Sequence, residues 1–273
     1  MPVLSELTRT EVRALAPRAI AVLPIGATEQ HAEHLPMGTD ALLVDAVLDH
    51  ALSRIADAGT APPTPDGAEP APIVRAPTLP YGSSEHHLFA AALSLRPQVL
   101  LDVLTDLLRS LVVSGFRRLL VVNGHGGNDE IMRLAIKQIA LAHPVAAGAA
   151  SYWALGGPAA STDPARTPGH AGWFETSLLL AHRPDLVRPH RTDAVNPPPA
   201  FDRPPWPGLA VEKHGEWARV GGFTDAATDA DADTGATMLD RRAAELASAI
   251  VAFDATTREF VASSDDARKG GTQ

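Results

Sequence analysis

Arg118-Leu-Leu-Val-Val-Asn-Gly-His-Gly-Gly-Asn128 is the stretch that decides the fold. Leu119 to Val122 is an unbroken apolar run, the pattern of a strand covered on both faces. Three glycines then interrupt it, and residues 129–143 carry apolar side chains at helical spacing. A strand, a glycine-rich turn and a helix in immediate succession form the unit from which α/β sheets are built. The same alternation continues outward. Residues 19–25 read as a buried strand and residues 39–58 as a helix stopped by Gly59. Residues 73–79 form a second strand candidate, and residues 97–114 a helix with Pro97 near its start and Gly115 at its end. Residues 145–153 suggest a further strand, 175–182 a helix, and 234–261 an Ala-rich closing helix, while residues 5–15 open the chain as a short capped helix. The expected fold is a single α/β domain over residues 1–262, with a mostly parallel sheet flanked by helices and a disordered tail at 263–273. Pro-rich residues 59–72 and 189–208 read as surface excursions, the second wrapping the surface or a neighbouring subunit.

Composition narrows the function. The chain has 273 residues and a formal net charge of −9, which argues against binding nucleic acid or an anionic membrane surface. It has no cysteine, so disulfides, zinc–thiolate sites and a cysteine nucleophile are excluded. No apolar segment follows a basic start, and no uncharged run is long enough to span a bilayer, so a cytoplasmic setting is expected.

Three polar segments stand at expected strand ends, where open parallel sheets gather their ligands. The first is Gly26-Ala-Thr-Glu-Gln-His-Ala-Glu-His-Leu-Pro-Met-Gly-Thr-Asp40, the second Asn123-Gly-His-Gly-Gly-Asn128, and the third Gly169-His-Ala-Gly-Trp-Phe-Glu-Thr-Ser177. In an extended chain Glu29 and His31 share a side, and Asp40 can fold back toward them. Each segment alone has a bland reading as a solvated loop or a plain turn. Together they supply carboxylates and imidazoles, the donor set of divalent cations. If Glu29, His31, Asp40, His125 and Glu175 converge and Asp40 bridges, each of two cations receives about three protein ligands, and a shared water makes about four.

These segments together resemble the creatininase (creatinine amidohydrolase) family. The family pattern runs G-x-x-E-Q-H-G-P-H-L-P-x-x-T-D, then N-G-H-G-G-N, then H-A-G-x-x-E-T-S; here the three read GATEQHAEHLPMGTD, NGHGGN and HAGWFETS over roughly residues 20–190. The resemblance implies an α/β fold with a metal site at the carboxyl edge of the sheet, zinc, manganese or iron as the cation, and a homo-oligomer, often a hexamer. It implies hydrolysis of a C–N bond in a lactam, formamide or peptide by a metal-activated water. It carries Glu29, His31, Asp40 and His125 over as metal ligands and His170 as the proton-transfer residue. Glu175 matches the E-T-S glutamate, with a ligand or catalytic role.

Departures bear on the substrate. Creatininase has a glutamate ligand after the loop histidine, where this chain has Gly127, so Glu175 is expected to substitute. The Trp-Asp pair that meets creatinine is replaced by Ala165-Arg-Thr-Pro-Gly169, and Ala32-Glu33 replaces Gly-Pro. Ala90-Ala91-Ala92 replaces P-G-T in the segment from Ser84, which predicts a more helical loop. Trp173, beside the third motif, is expected to line the pocket, and Trp153, Trp206 and Trp217 to serve packing. The expected partner is a small-molecule or short-peptide amide. One branch of the family trims a precursor peptide in mycofactocin maturation, which is a second reading. A non-catalytic metal- or ligand-binding relative and a phosphate cradle at Gly124–Asn128 are the others. The last lacks a neighbouring Lys or Arg.

Overall fold

The computed structural model describes residues 1–58, 70–157, 163, 166–193, 205–207 and 209–269. Four parallel strands form one sheet in the order β2-β1-β3-β4: β1 Ile20–Ile25, β2 Ile73–Arg75, β3 Arg118–Asn123 and β4 Ala146–Ser151. Helices α2 (Thr39–Ala58), α3 (Pro97–Val113) and α4 (Asp129–Ala142) are the crossovers between successive strands. Helices α1 (Arg9–Leu15), α5 (Trp173–His182), α6 (Glu216–Arg219) and α7 (Ala232–Lys269) complete the described set.

Side chains alternate across each strand, and the two faces build two cores. Ile20 and Val22 of β1, with Leu120 and Val122 of β3, pack against α2, α5 and α7. Ala21, Leu23 and Ile25, with Leu119 and Val121, pack against α3 and α4. Each fully buried Leu, Ile or Val contributes roughly 1.5–3 kcal/mol. This explains why β1 and β3 tolerate no polar residue between their ends.

The topology also fixes where the site lies. From β1 the chain crosses outward to β2, and from β3 it crosses the other way to β4, so the order reverses between β1 and β3. The two strands end level, Ile25 opposite Asn123. The crevice outside such a reversal is where α/β sheets bind ligands, and the first two motifs begin there.

Several local expectations change. The N-terminal helix begins at Arg9, because Thr8 caps it and exchanges hydrogen bonds with Glu11; residues 4–6 form a separate 3₁₀ turn. Strand β2 stops at Arg75, although Leu79 still bridges to Ile25. The loop after Ser84 is not the expected helix. It makes one 3₁₀ turn at Glu85–His87, turns again through Ala90, and extends from Ala91. Gln30 N–H donates to the Ala91 carbonyl at 2.7 Å and Leu93 N–H to that of Thr28 at 2.8 Å. Pairing with the first motif outweighs alanine's helix propensity. Helix α7 runs to Lys269. Residues 270–273 and most of the two Pro-rich excursions lie outside the described residues. No described helix is long and apolar enough to cross a membrane.

Candidate active site

The first two motifs supply side chains from the mouths of β1 and β3, and helix starts supply the rest. Glu29 and His31 follow β1, Asp40 stands in the first turn of α2, His125 follows β3, and Glu175 stands in the first turn of α5. The N-terminal ends of helices favour the carboxylates of Asp40 and Glu175. All five side chains are buried.

They converge in two sets that share Asp40: Glu29, Asp40 and His125 in one, His31, Asp40 and Glu175 in the other. His125 Nδ1 lies 3.3 Å from Glu29 Oε1 and 3.2 Å from Asp40 Oδ2. His31 Nε2 lies 3.2 Å from Asp40 Oδ1 and 3.8 Å from Glu175 Oε2. Each imidazole is oriented from behind by a backbone carbonyl, His125 Nε2–H donating to Ser83 at 3.0 Å and His31 Nδ1–H to Glu29 at 3.1 Å. That arrangement fixes the tautomer and aims the other nitrogen at the centre, as in metal-binding histidines.

The asparagines of the second motif hold this frame together. Asn123 bonds the His125 backbone in both directions and reaches Ser151 at the end of β4. Asn128 joins the Gly26 carbonyl, Asn123 and the Ser83 N–H. No side chain fits at Gly127, because a Cβ there would stand 2.2 Å from the Ser83 carbonyl oxygen. Glu175 comes from a different helix, and its carboxylate joins the His31 set with Oε2 3.8 Å from His31 Nε2.

The electrostatics suit a cation. Both oxygens of Glu29 and Oδ2 of Asp40 are buried without a hydrogen bond among the described residues, an arrangement that costs free energy unless a positive charge fills the gap. Burial opposes charge on the histidines, yet Asp40 and Glu175 carry His31 up to about 10, and Glu29 and Asp40 carry His125 up to about 9. Burial likewise opposes ionisation of Asp40, but His31 and His125 outweigh it and hold Asp40 below the usual carboxylate range. Burial pushes Glu175 up to about 8. Both upward shifts report the concentrated negative charge of the surrounding carboxylates, the charge that divalent cations would neutralise. The donor set of three carboxylates and two imidazoles fits zinc, manganese or iron.

His170 sits over the same centre, with Nδ1 3.5 Å from Glu29 Oε1 and Nε2 2.9 Å from the Gln30 carbonyl. A carbonyl only accepts, so Nε2 carries the proton and Nδ1 presents a lone pair. Burial first, and then the neighbouring His31, push His170 well below its ordinary value. Arg166 anchors its loop through Asp225 and Asp229. Thr224 joins the loop to the following segment, its hydroxyl accepting from His170 N–H at 2.7 Å.

A cavity of about 570 Å³ opens onto these groups, lined also by His86, Trp153, Trp217 and Glu212. The expectations about tryptophan change, since Trp153 and Trp217 line the cavity and Trp173 does not. Trp173 is buried under the Arg166 guanidinium, 4.8 Å from its ring centre, and is absent from the lining. Trp217 instead forms a wall, its ring 4.5 Å from that of His87 and 5.2 Å from those of His86 and His170. The sequence reading assigned no role to Gln30, His86 or His87, although all three lie in stretches it singled out. Their signal was a glutamine between two ligands and a histidine pair among apolar residues. Trp217 had no such signal, because it approaches from about forty residues beyond the third motif.

Fold and site together define an α/β protein with paired carboxylate–imidazole sets at the sheet's carboxyl edge. The sequence matches the creatininase family, described as creatinine amidohydrolase, over residues 5–250, and the chain belongs to that family. It is 34% identical over 201 residues to the mycofactocin precursor peptide peptidase of Mycobacterium ulcerans, covering 73% of each chain. It is 32% identical over 221 residues to the creatinine amidohydrolase of Pseudomonas putida, covering 74% of this chain and 78% of that one. A crystal structure of creatininase superposes with a TM-score of 0.70 at 30% identity, covering 94% of this chain and 97% of the other. A structure described as creatininase Mn does so with a TM-score of 0.70 at 29% identity, covering 94% and 98%. The chain is accordingly a hydrolase of C–N bonds.

Proposed function

We propose that the chain is a two-cation amide hydrolase whose substrate is larger than creatinine, with Glu29, Asp40 and His125 holding one cation and His31, Asp40 and Glu175 the other. The observation that carries this reading is the buried, unpartnered carboxylate oxygens of Glu29 and Asp40, with Asp40 common to both sets. Bound there, such a pair supplies a Lewis acid for the carbonyl and lowers the pKa of water from 15.7 to about 7.

The protein's own groups do the rest. His170 Nδ1 takes a proton from the attacking water and delivers it to the leaving nitrogen. Gln30's carbonyl holds the other ring nitrogen, so the imidazole does not turn between the two transfers. Trp217 and Trp153 line the cavity and offer apolar surface to the substrate beside the reacting groups.

The volume of about 570 Å³ falls in the range that encloses drug-sized ligands, and it favours an acylated amine or short peptide over a single small ring. The similarity to precursor peptide peptidases supports the peptide form of this reading. A non-catalytic relative is disfavoured, since Glu29, His31, Asp40, His125 and Glu175 still converge beside the altered Ala90–Ala92 segment. The proposed setting, a cytoplasmic homo-oligomer, rests on the sequence reading.

The test is elemental analysis of protein purified without chelator, followed by a screen of lactams, formamides and dipeptides. About two equivalents of zinc, manganese or iron per chain, with turnover of an open-chain amide, are expected. Protein that takes up no cation after reconstitution overturns the reading.

A further inference from the structure

Gln30 and His87 are buried beside the site, and His87 does not line the cavity. The amide of Gln30 is oriented by Ala32, whose N–H donates to Oε1 at 2.9 Å. Its Nε2 therefore carries two hydrogens, facing His87 Nδ1 at 2.8 Å, the Gly222 carbonyl at 2.8 Å and His170 Nε2 at 3.1 Å. His170 Nε2 already donates to the Gln30 carbonyl and has no lone pair to offer. The two hydrogens go to Gly222 and to His87 Nδ1. An imidazole that accepts at Nδ1 bears its own proton at Nε2. His87 Nε2 has no hydrogen-bond partner among the described residues, and it stands 3.5 Å from Glu29 Oε1, itself unpartnered. That separation exceeds a formed hydrogen bond, and a small turn of the carboxylate completes it.

We propose that Gln30 and His87 form a positioning pair: Gln30 sets the His87 tautomer, and His87 Nε2–H orients the Glu29 carboxylate toward Asp40 and His125. The inference rests on the assignment of Glu29 as a cation ligand above. It gives the family's Glu-Gln-His triplet a physical division of labour here, with two ligands separated by the residue that orders the groups behind them. The positive φ of 75° at Gly222 belongs to the same device, because a Cβ there would meet Gln30 Nε2 at 2.5 Å. It also argues against reading Glu29, His86 and His87, which lie close enough to hold an ion, as a third cation site. A nitrogen that bears a proton offers no lone pair.

The experiment titrates Mn²⁺ into the full chain and its His87→Leu and His87→Gln variants against a competing chelator, with thermal melts in chelator to follow folding. Wild type is expected to bind two equivalents. His87→Leu should weaken one of them by roughly 10- to 100-fold and leave the other unchanged. His87→Gln, whose amide N–H reaches close to the Nε2 position, should recover most of the loss. Should His87→Leu not fold, Gln30→Met, which frees the His87 ring to turn, should weaken the same equivalent. Unchanged affinity in the Leu variant, equal losses in the Leu and Gln variants, or a third equivalent that disappears with His87 would each overturn the pair. Wild type that binds no Mn²⁺ would overturn the assignment of Glu29, and the inference with it.

Discussion

The two halves of the site are built differently although they share Asp40. In the half formed with His31 and Glu175, the protein satisfies much of its own polarity. Glu175 Oε2 accepts the Ala171 N–H at 2.6 Å, and His31 meets Asp40 directly at 3.2 Å. In the half formed with Glu29 and His125, both Glu29 oxygens and Asp40 Oδ2 are buried without a formed hydrogen bond, although His125 Nδ1 stands 3.3 Å from Glu29 Oε1 and 3.2 Å from Asp40 Oδ2. The contrast separates a position that stands by itself from one assembled at a cost to stability. Buried strain and unsatisfied groups of the second kind persist where function requires them.

Substitutions can break or sharpen this comparison. The largest effect is expected at the shared residue. Asp40→Ala should lose both cations and all turnover together, and a variant that retains about two equivalents would rule out a shared role. His170→Ala comes next. With both halves intact it should keep its metal and lose about 10²–10⁴ in kcat; steady-state kinetics beside elemental analysis separates the two quantities.

Stability then tests the asymmetry itself. In chelator, Glu175→Leu strands the Ala171 N–H and should destabilise the chain by about 1–3 kcal/mol. Glu29→Leu removes an unsatisfied carboxylate and should stabilise it by a comparable amount. Urea unfolding that moves both variants in the same direction would erase the distinction between the halves. The smallest effect is expected at Ala32, which adopts φ 54° where the family pattern carries glycine. Relief of that left-handed strain by Ala32→Gly should add about 1 kcal/mol, read as a higher urea midpoint.

Much of this was legible in one dimension for a simple reason. Buried parallel strands must be apolar on both faces, so residues 19–25 and 118–122 announced themselves, and polar residues massed at their ends had to be there for chemistry. Glu29, His31, Asp40, His125 and Glu175 could be picked out by type and by position relative to those strands. Where local propensity competed with backbone pairing, it misled. The three alanines at 90–92 favour a helix, but the Ala91 carbonyl and the Leu93 N–H are held extended by the first motif.

By itself, then, the sequence determined the α/β class, the strand ends that carry the site and the five ligand candidates, because hydrophobic periodicity and donor chemistry are local properties. Only the tertiary structure decided that Asp40 stands in both sets, that Glu175 reaches the His31 set, that Trp217 displaces Trp173 at the cavity wall, and that Gln30 and His87 stand behind Glu29. Those depend on which distant segments meet at the reversal between β1 and β3. Their contacts are hydrogen bonds and ring packings between residues far apart in the chain, for which no local pattern codes.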